Sequence, residues 1–343
     1  MLYRSVRPLL FSLDPETAHC LSLKSLDALN YLGAVSLAAV ALPRIPLRVM
    51  GLDFPNPVGL AAGLDKDGEH IDALAALGFG FLEIGAVTPR PQPGNPKPRV
   101  FRLPEAAALI NRLGFNSGGA EVAVENLRRA RYRGILGVNI GKNFDTPNER
   151  AAEDYLACLR KVYPHASFVT VNVSSPNTKN LRELQGAPEL DALLAALAAE
   201  RERLAQQHAR RIPLAIKIAP DLDDAGIETI ADRVVARGFD AVIATNTTVS
   251  REGVEHLAAS REPGGLSGAP LKARATAVVA RLRQALPATV AIIGVGGIAS
   301  AADAREKLDA GANLVQLYTA LVYHGPGVIG EIVRGLAAGK TPR

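Results

Sequence analysis

The chain has no tryptophan, only two cysteines and two methionines, and aromatic residues fill just 5% of its 343 positions. So few rings leave little from which to build a base-stacking surface, and no nucleic-acid partner is expected. Cys20 and Cys158 stand far apart in the chain. That excludes a disulfide framework and a cysteine-based metal site, and it fits a reducing compartment. The histidines (His19, His70, His165, His208, His256, His324) show no metal-ligand or H-E-x-x-H spacing, so no metal is expected. Long apolar runs are missing as well. The longest, residues 32–42, is interrupted by Gly33 and Ser36, whereas a bilayer span needs roughly 20 apolar residues. Residues 1–13 carry Arg4 and Arg7 without the apolar core of a secretory signal. A soluble or peripheral protein is the expectation. The G-x-G-x-x-G dinucleotide fingerprint is absent, and Gly339-Lys340-Thr341 is no P-loop, because Arg334 stands at the required first glycine.

Hydrophobic residues make up 48% and charged residues 21%, enough for a sizeable core, with a mildly basic net charge of +5. That charge fits either an anionic partner or ordinary surface variation. Two textures follow one another. In the first forty residues Leu2, Val6, Leu9, Leu10 and Leu13 fall at helical spacing, with Arg4 and Arg7 on the other side. Asp14-Pro15-Glu16 then reads as an N-cap, a first-turn proline and a first-turn acid. Leu21, Leu26 and Leu29 continue this second helix, and Pro43 and Pro46 close the segment.

From about Pro57 short apolar runs alternate with helix-length stretches. Strands are expected at 58–61, 81–87, 135–140, 168–173, 214–218, 241–244, 291–295 and 314–317. Helices are expected at 68–77, 120–130, 151–162, 188–208, 223–237, 269–286, 300–310 and 327–337. Eight such units favour a closed (β/α)8 TIM barrel over a doubly wound sheet. Residues 47–54 suggest a hairpin plugging the barrel's bottom.

Active sites of this fold lie where the strands end, and there polar residues collect. Asn139 and Asn172 sit inside strand ends, Lys217 lies near one, and Ser174-Ser175-Pro176-Asn177-Thr178 and Thr245-Asn246-Thr247 follow two others. The turn Gly294–Gly297 precedes a helix and is either a plain tight turn or a phosphate cradle. Lys217, among apolar neighbours, calls for an anionic partner. Lys66 reads equally as a carboxylate partner and as one charge of the Asp65-Lys66-Asp67 turn. Asn111, Asn172, Asn177 and Asn246 each offer a donor and an acceptor, which suits the edge of a pyrimidine ring. The proline-rich stretch 88–99 reads as a rigid wall or lid.

These residues carry a resemblance. Ala61-Ala62-Gly63-Leu64-Asp65-Lys66-Asp67-Gly68, the proline-rich stretch, Asn111-Arg112-Leu113-Gly114-Phe115-Asn116 and Asn172-Val173-Ser174-Ser175-Pro176-Asn177-Thr178 resemble the class 2, quinone-dependent dihydroorotate dehydrogenases. So do Lys217-Ile218-Ala219-Pro220-Asp221, Ala244-Thr245-Asn246-Thr247, residues 294–298 and Gln316-Leu317-Tyr318-Thr319, in order along essentially the whole chain. The resemblance implies FMN bound by Ala62, Gly63, Leu64, Asp65, Lys66, Ala86, Asn139, Asn172, Lys217, Thr245, Gly268, Gly297, Tyr318 and Thr319. It implies dihydroorotate bound by Lys66, Asn111, Arg112, Leu113, Gly114, Phe115, Asn172, Asn177, Asn246 and Thr247. One departure stands out: Ala86 occupies a position where the family often has threonine, so only a backbone contact to the flavin survives there.

The resemblance also puts Ser175 at the general-base position, taking the C5 proton of dihydroorotate while C6 delivers hydride to flavin N5. A serine hydroxyl is a weak base, and no histidine adjoins it in sequence, so a relay through a threonine hydroxyl or water is expected. The implied acceptor is a membrane quinone, with residues 1–41 as a membrane-associating segment, His19, Arg102 and Tyr318 along its path, and the barrel at 42–343. A monomer at the cytoplasmic face of the cell membrane is expected. Three other functions remain open at this point: a class 1-like enzyme reducing fumarate or NAD, a flavin-free phosphoribosyl isomerase or aldolase, and a non-catalytic membrane adaptor.

Overall fold

The computed structural model describes residues 2–35 and 42–339. Eight parallel strands close into a barrel: β3 (Val58–Leu60), β4 (Phe81–Val87), β7 (Ile135–Ile140), β8 (Phe168–Asn172), β9 (Leu214–Ile218), β10 (Ala241–Ala244), β12 (Ala291–Val295) and β13 (Leu314–Leu317). Their continuous apolar runs suit strands covered on both faces. The alternation of side chains across each strand then sorts the residues. On β9, Leu214, Ile216 and Ile218 join the large core shared with the outer helices, while Ala215 joins the inner core. Lys217 has the parity of Ala215 and therefore points into the barrel.

The inner core is apolar at its lower end. Phe54, Phe81 and Phe168 meet edge to face, with ring centroids 5.2 and 6.3 Å apart. Phe54 comes from a two-stranded hairpin, β1 (Leu47–Val49) with β2 (Leu52–Phe54), which closes that end. The expected plug is present. Going up each strand, inward positions turn polar: Phe81 gives way to Glu83, Phe168 to Thr170 and Asn172, Ile135 to Asn139, and Leu314 to Gln316.

Three features depart from the sequence reading, one of them a short extra helix over Thr319–His324. The helix expected over 68–77 is only Ile71–Ala75. The Asp65 carboxylate takes the backbone N–H groups of Gly68, Glu69 and His70 at 2.9–3.0 Å, and this turn replaces the helix's first residues. Over the upper rim lies an unanticipated antiparallel sheet of β5 (Val100–Leu103), β6 (Ala108–Asn111) and β11 (Gly265–Gly268).

The N-terminal segment forms α1 (Leu2–Ser12) and α2 (Pro15–Tyr31), the latter capped by Asp14, whose carboxylate accepts from Thr17 N at 2.9 Å. Both dock beside the rim sheet. Arg102 of β5 donates to the carbonyls of Phe11 (3.2 Å) and Leu13 (2.9 Å) at the end of α1, and its guanidinium stacks 4.7 Å from the Phe11 ring. Arg99 grips Glu16 of α2 at 2.9 Å, and His70 Nδ1 meets Asp27 Oδ2 at 2.6 Å. None of the described helices is long and apolar enough to cross a membrane.

Candidate active site at the carboxyl rim

A cleft opens above the polar layer, bounded by the strand ends, the rim sheet and the loops between them. The space it bounds, open mouth included, is about 1280 Å³.

Nearly all the residues singled out from sequence meet here. Ala62, Gly63, Lys66, Ala86, Asn172, Lys217, Thr245, Gly268, Gly297, Tyr318 and Thr319 line the cleft. Asn111, Leu113, Gly114, Phe115, Ser175, Asn177, Asn246 and Thr247 line it too. Four do not. Asn139 lies one layer below, fully buried, donating to Glu83 Oε1 at 2.8 Å and accepting from Asn172 Nδ2 at 3.0 Å. It orients Asn172. Asp65 is the buried cap described above, and Leu64 packs in the outer core. Arg112 turns outward, paired with Glu262 at 2.6 Å and stacked 4.6 Å from the Phe101 ring.

The amides form one connected rim. Asn177 Nδ2 donates to Asn111 Oδ1 at 3.2 Å, and Asn246 Nδ2 donates to Ser174 Oγ at 3.0 Å and Asn172 Oδ1 at 3.4 Å. Asn177 Oδ1, Thr178 Oγ1 and Gln316 Oε1 are buried without a hydrogen-bond partner. Buried polar atoms are rarely left so in a folded protein. Asn177 and Gln316 line the cleft, and there such atoms mark places where a ligand's polar groups complete the network. Ser175 is buried beside them, and its hydroxyl oxygen accepts from Asn177 N at 3.2 Å.

Two buried cations set the electrostatics. Lys217 makes no hydrogen bond or ion pair among the described residues. Burial pushes its pKa down, and the carboxylate of Glu83 opposes that shift. Lys66 is pushed down to about 8, again by burial first, against the pull of Asp67. A bound anion would favour the charged form of both.

The glycines are required by geometry. A side chain at Gly297 would bring its Cβ within 2.4–2.7 Å of Lys272, backbone included, and Gly297 also has φ +72°. At Gly268 a Cβ would approach the Ala107 carbonyl to 2.3 Å, with φ +98°. Both leave open backbone facing the cleft next to Tyr318 and Thr319, whose hydroxyl meets Ser267 Oγ at 2.9 Å. This small-residue cradle fits a phosphate group.

On the side facing α1 the lining becomes apolar, with Val100, Ala107, Leu109, Ala320 and Tyr323. Of the three residues assigned to a quinone path, Tyr318 lines the cleft, pushed up to about 12 by burial. Arg102 is held on the α1 carbonyls. His19 lies against the Leu64 backbone, and burial pushes it down to about 4, so it is neutral at physiological pH.

Glu83 escapes the sequence reading, and Gln316 and Ser174 stand in its motifs without a role, yet these polar residues tie this layer together. Lone polar residues inside Phe-Leu-Glu-Ile-Gly-Ala-Val and Leu-Val-Gln-Leu were the available signal.

Comparison with known proteins identifies the family. Residues 45–339 match the dihydroorotate dehydrogenase family. The dihydroorotate dehydrogenase (quinone) of Thiobacillus denitrificans is 61% identical over 98% of this chain and 100% of its own length. The corresponding protein of Chromobacterium violaceum is 60% identical, with 98% of each chain covered. A solved structure of the Eimeria tenella enzyme in complex with ferulenol superposes with a TM-score of 0.85 at 38% identity, covering 94% of this chain and 90% of that one. The ligand-free form gives 0.84 at 39% identity, covering 95% and 96%. With this match over most of its length, the chain belongs to the dihydroorotate dehydrogenase family, in its class 2 branch.

Proposed function

We propose that the chain oxidises dihydroorotate to orotate with FMN as resident cofactor and a membrane quinone as final acceptor, a step of pyrimidine biosynthesis. The observation that carries this reading is the buried, unpaired ammonium of Lys217 pointing into a cleft rimmed by amides. The FMN fit rests on that ammonium together with the glycine cradle at Gly268 and Gly297. Thr319 and the backbone of the cradle would hold the phosphate, and Lys217 and Thr245 the ring. FMN supplies hydride acceptance and onward electron transfer to the quinone.

The chain's own residues do the rest. Asn111, Asn172, Asn177 and Asn246 orient the planar ring, and Lys66 pairs with the substrate carboxylate. Ser175 takes the C5 proton as the C6–H bond breaks, leaving the C5–C6 double bond of orotate. The buried, partnerless Thr178 hydroxyl, three residues on, suits the onward relay that a serine base needs.

The N-terminal helices suit a membrane-facing role. Val6, Leu9, Leu21, Leu29, Tyr31 and Leu32 are all exposed there, an apolar surface of the kind that lies on lipid. Next to them the cleft's apolar side offers entry to a quinone. The test combines an acceptor screen with deletion of residues 1–41. Quinone should outpace fumarate and NAD in the full chain, and the deletion should keep flavin reduction while losing quinone turnover and vesicle binding. Undiminished quinone turnover in the deletion variant contradicts the membrane assignment.

A further inference from the structure

Three rim loops leave the adjacent strands β8, β9 and β10, and one side chain joins all of them. Arg182 lies in the short 3-10 turn Leu181–Gln185. Its Nε donates to the Ser174 carbonyl at 3.0 Å, its Nη1 to Asp221 Oδ2 at 2.9 Å, and its Nη2 to the Thr247 carbonyl at 2.8 Å. The first contact is to the peptide group immediately before Ser175. The third is to the substrate-side loop that carries Asn246 and Thr247. The guanidinium therefore bridges the base and the opposite wall of the cleft.

Its anchor is itself fixed. Asp221 accepts from the Thr248 hydroxyl and from Val249 N at 3.1 Å, with Arg274 3.6 Å away. Gln185, from the same turn, accepts from Ala219 N at 3.0 Å and donates to the Arg182 carbonyl at 3.4 Å. The turn is thereby tied to the end of the strand that carries Lys217. A planar fork with donors in fixed directions defines a spacing; a lysine ammonium supplies charge without that shape.

Resting on the functional reading above, we propose that Arg182 is a positioning residue for proton abstraction, holding Ser175 at a set distance from the Asn246–Thr247 wall. Its role is geometric, so it acts on the half-reaction that consumes dihydroorotate and not on the one that delivers electrons to quinone. A misplacement of about 1 Å at a reacting group costs on the order of 10²-fold in rate.

The test uses the full-length flavin-loaded protein and the variant Arg182→Lys, which retains the charge facing Asp221. Anaerobic bleaching by saturating dihydroorotate should slow by about 10²-fold. Orotate binding and reoxidation of the dithionite-reduced protein by quinone should stay as in the parent. The isotope effect with C5-deuterated substrate should rise, because proton removal becomes more limiting. Unchanged bleaching overturns the proposal, as does an equal loss in both half-reactions, which marks a general structural tie. Should Arg182→Lys not fold, Asp221→Asn loosens the anchor while leaving both carbonyl contacts. A smaller slowing of bleaching alone supports the proposal, and parental bleaching defeats it. A parent that dihydroorotate does not bleach defeats the functional reading itself, and the role of Arg182 with it.

Discussion

The two ends of the barrel are built from the same strands by opposite chemistry. At the lower end the inward positions are Phe81, Phe168, Ile135 and Leu314, capped by Phe54 of the hairpin. A few residues further along the same strands they become Glu83, Asn172, Asn139 and Gln316, joined by amide–carboxylate and amide–amide hydrogen bonds. The lower end is packed ring against ring beneath the hairpin. The upper end keeps a buried ammonium and several buried polar atoms without protein partners. Stability is concentrated at one end and chemistry at the other, as the fold's strand polarity requires.

The comparison breaks first at Ser175. Ser175→Ala should keep bound yellow flavin but slow its reduction by dihydroorotate by roughly 10²–10⁴-fold, the span of general-base catalysis. Stopped-flow bleaching at neutral pH checks this, and near-parental reduction removes Ser175 from the base role. The lower end should respond in the opposite sense. Phe81→Ala, at a ring with no solvent exposure, should lower unfolding free energy by about 3–5 kcal/mol. The substrate affinity of the folded protein should stay unchanged. Urea denaturation beside a dihydroorotate titration measures both, and a loss of affinity without a loss of stability reverses the assignment of the two ends.

The smallest effect concerns pH. Burial holds Lys66 of the free site near 8. Below that value the amine is charged and pairs with the substrate carboxylate; above it the amine is neutral and the pairing weakens. Dihydroorotate affinity should therefore fall by about tenfold per pH unit well above 8, as expected for loss of one proton. Lys66→Met should bind weakly and without that slope. The sign for stability is separate. Between about 8 and the ordinary lysine value the unfolded chain holds the proton and the folded one does not, so this group makes the protein more stable as pH rises there.

How much of this was legible in the sequence follows the range of the interactions. The strands Phe81–Val87 and Leu214–Ile218 announce themselves, because a parallel barrel buries both faces and leaves continuous apolar runs. The lone Lys217 among them declares an inward cation for the same reason. The rim sheet was hidden. Its strand Gly265–Gly268 is half glycine and pairs with Ala108–Asn111, distant in the chain. The shortened helix at Ile71–Ala75 depends on one carboxylate, Asp65, collecting three N–H groups that a periodicity argument assigns to helix. In the site, residues beside strand ends were found by position alone. Arg112 shares its motif with Asn111 and Phe115, yet Glu262 and the Phe101 ring hold its side chain outside. Ser174 and Arg182 act through distant loops, a link that no local pattern carries.

The most direct measurement is the visible spectrum of the purified full-length protein, taken anaerobically before and after dihydroorotate. Flavin absorbance should be present, bleach on addition of the substrate and return on addition of a quinone. Colourless protein that cannot be reconstituted with FMN, or flavin that dihydroorotate leaves oxidised, would contradict the proposed function.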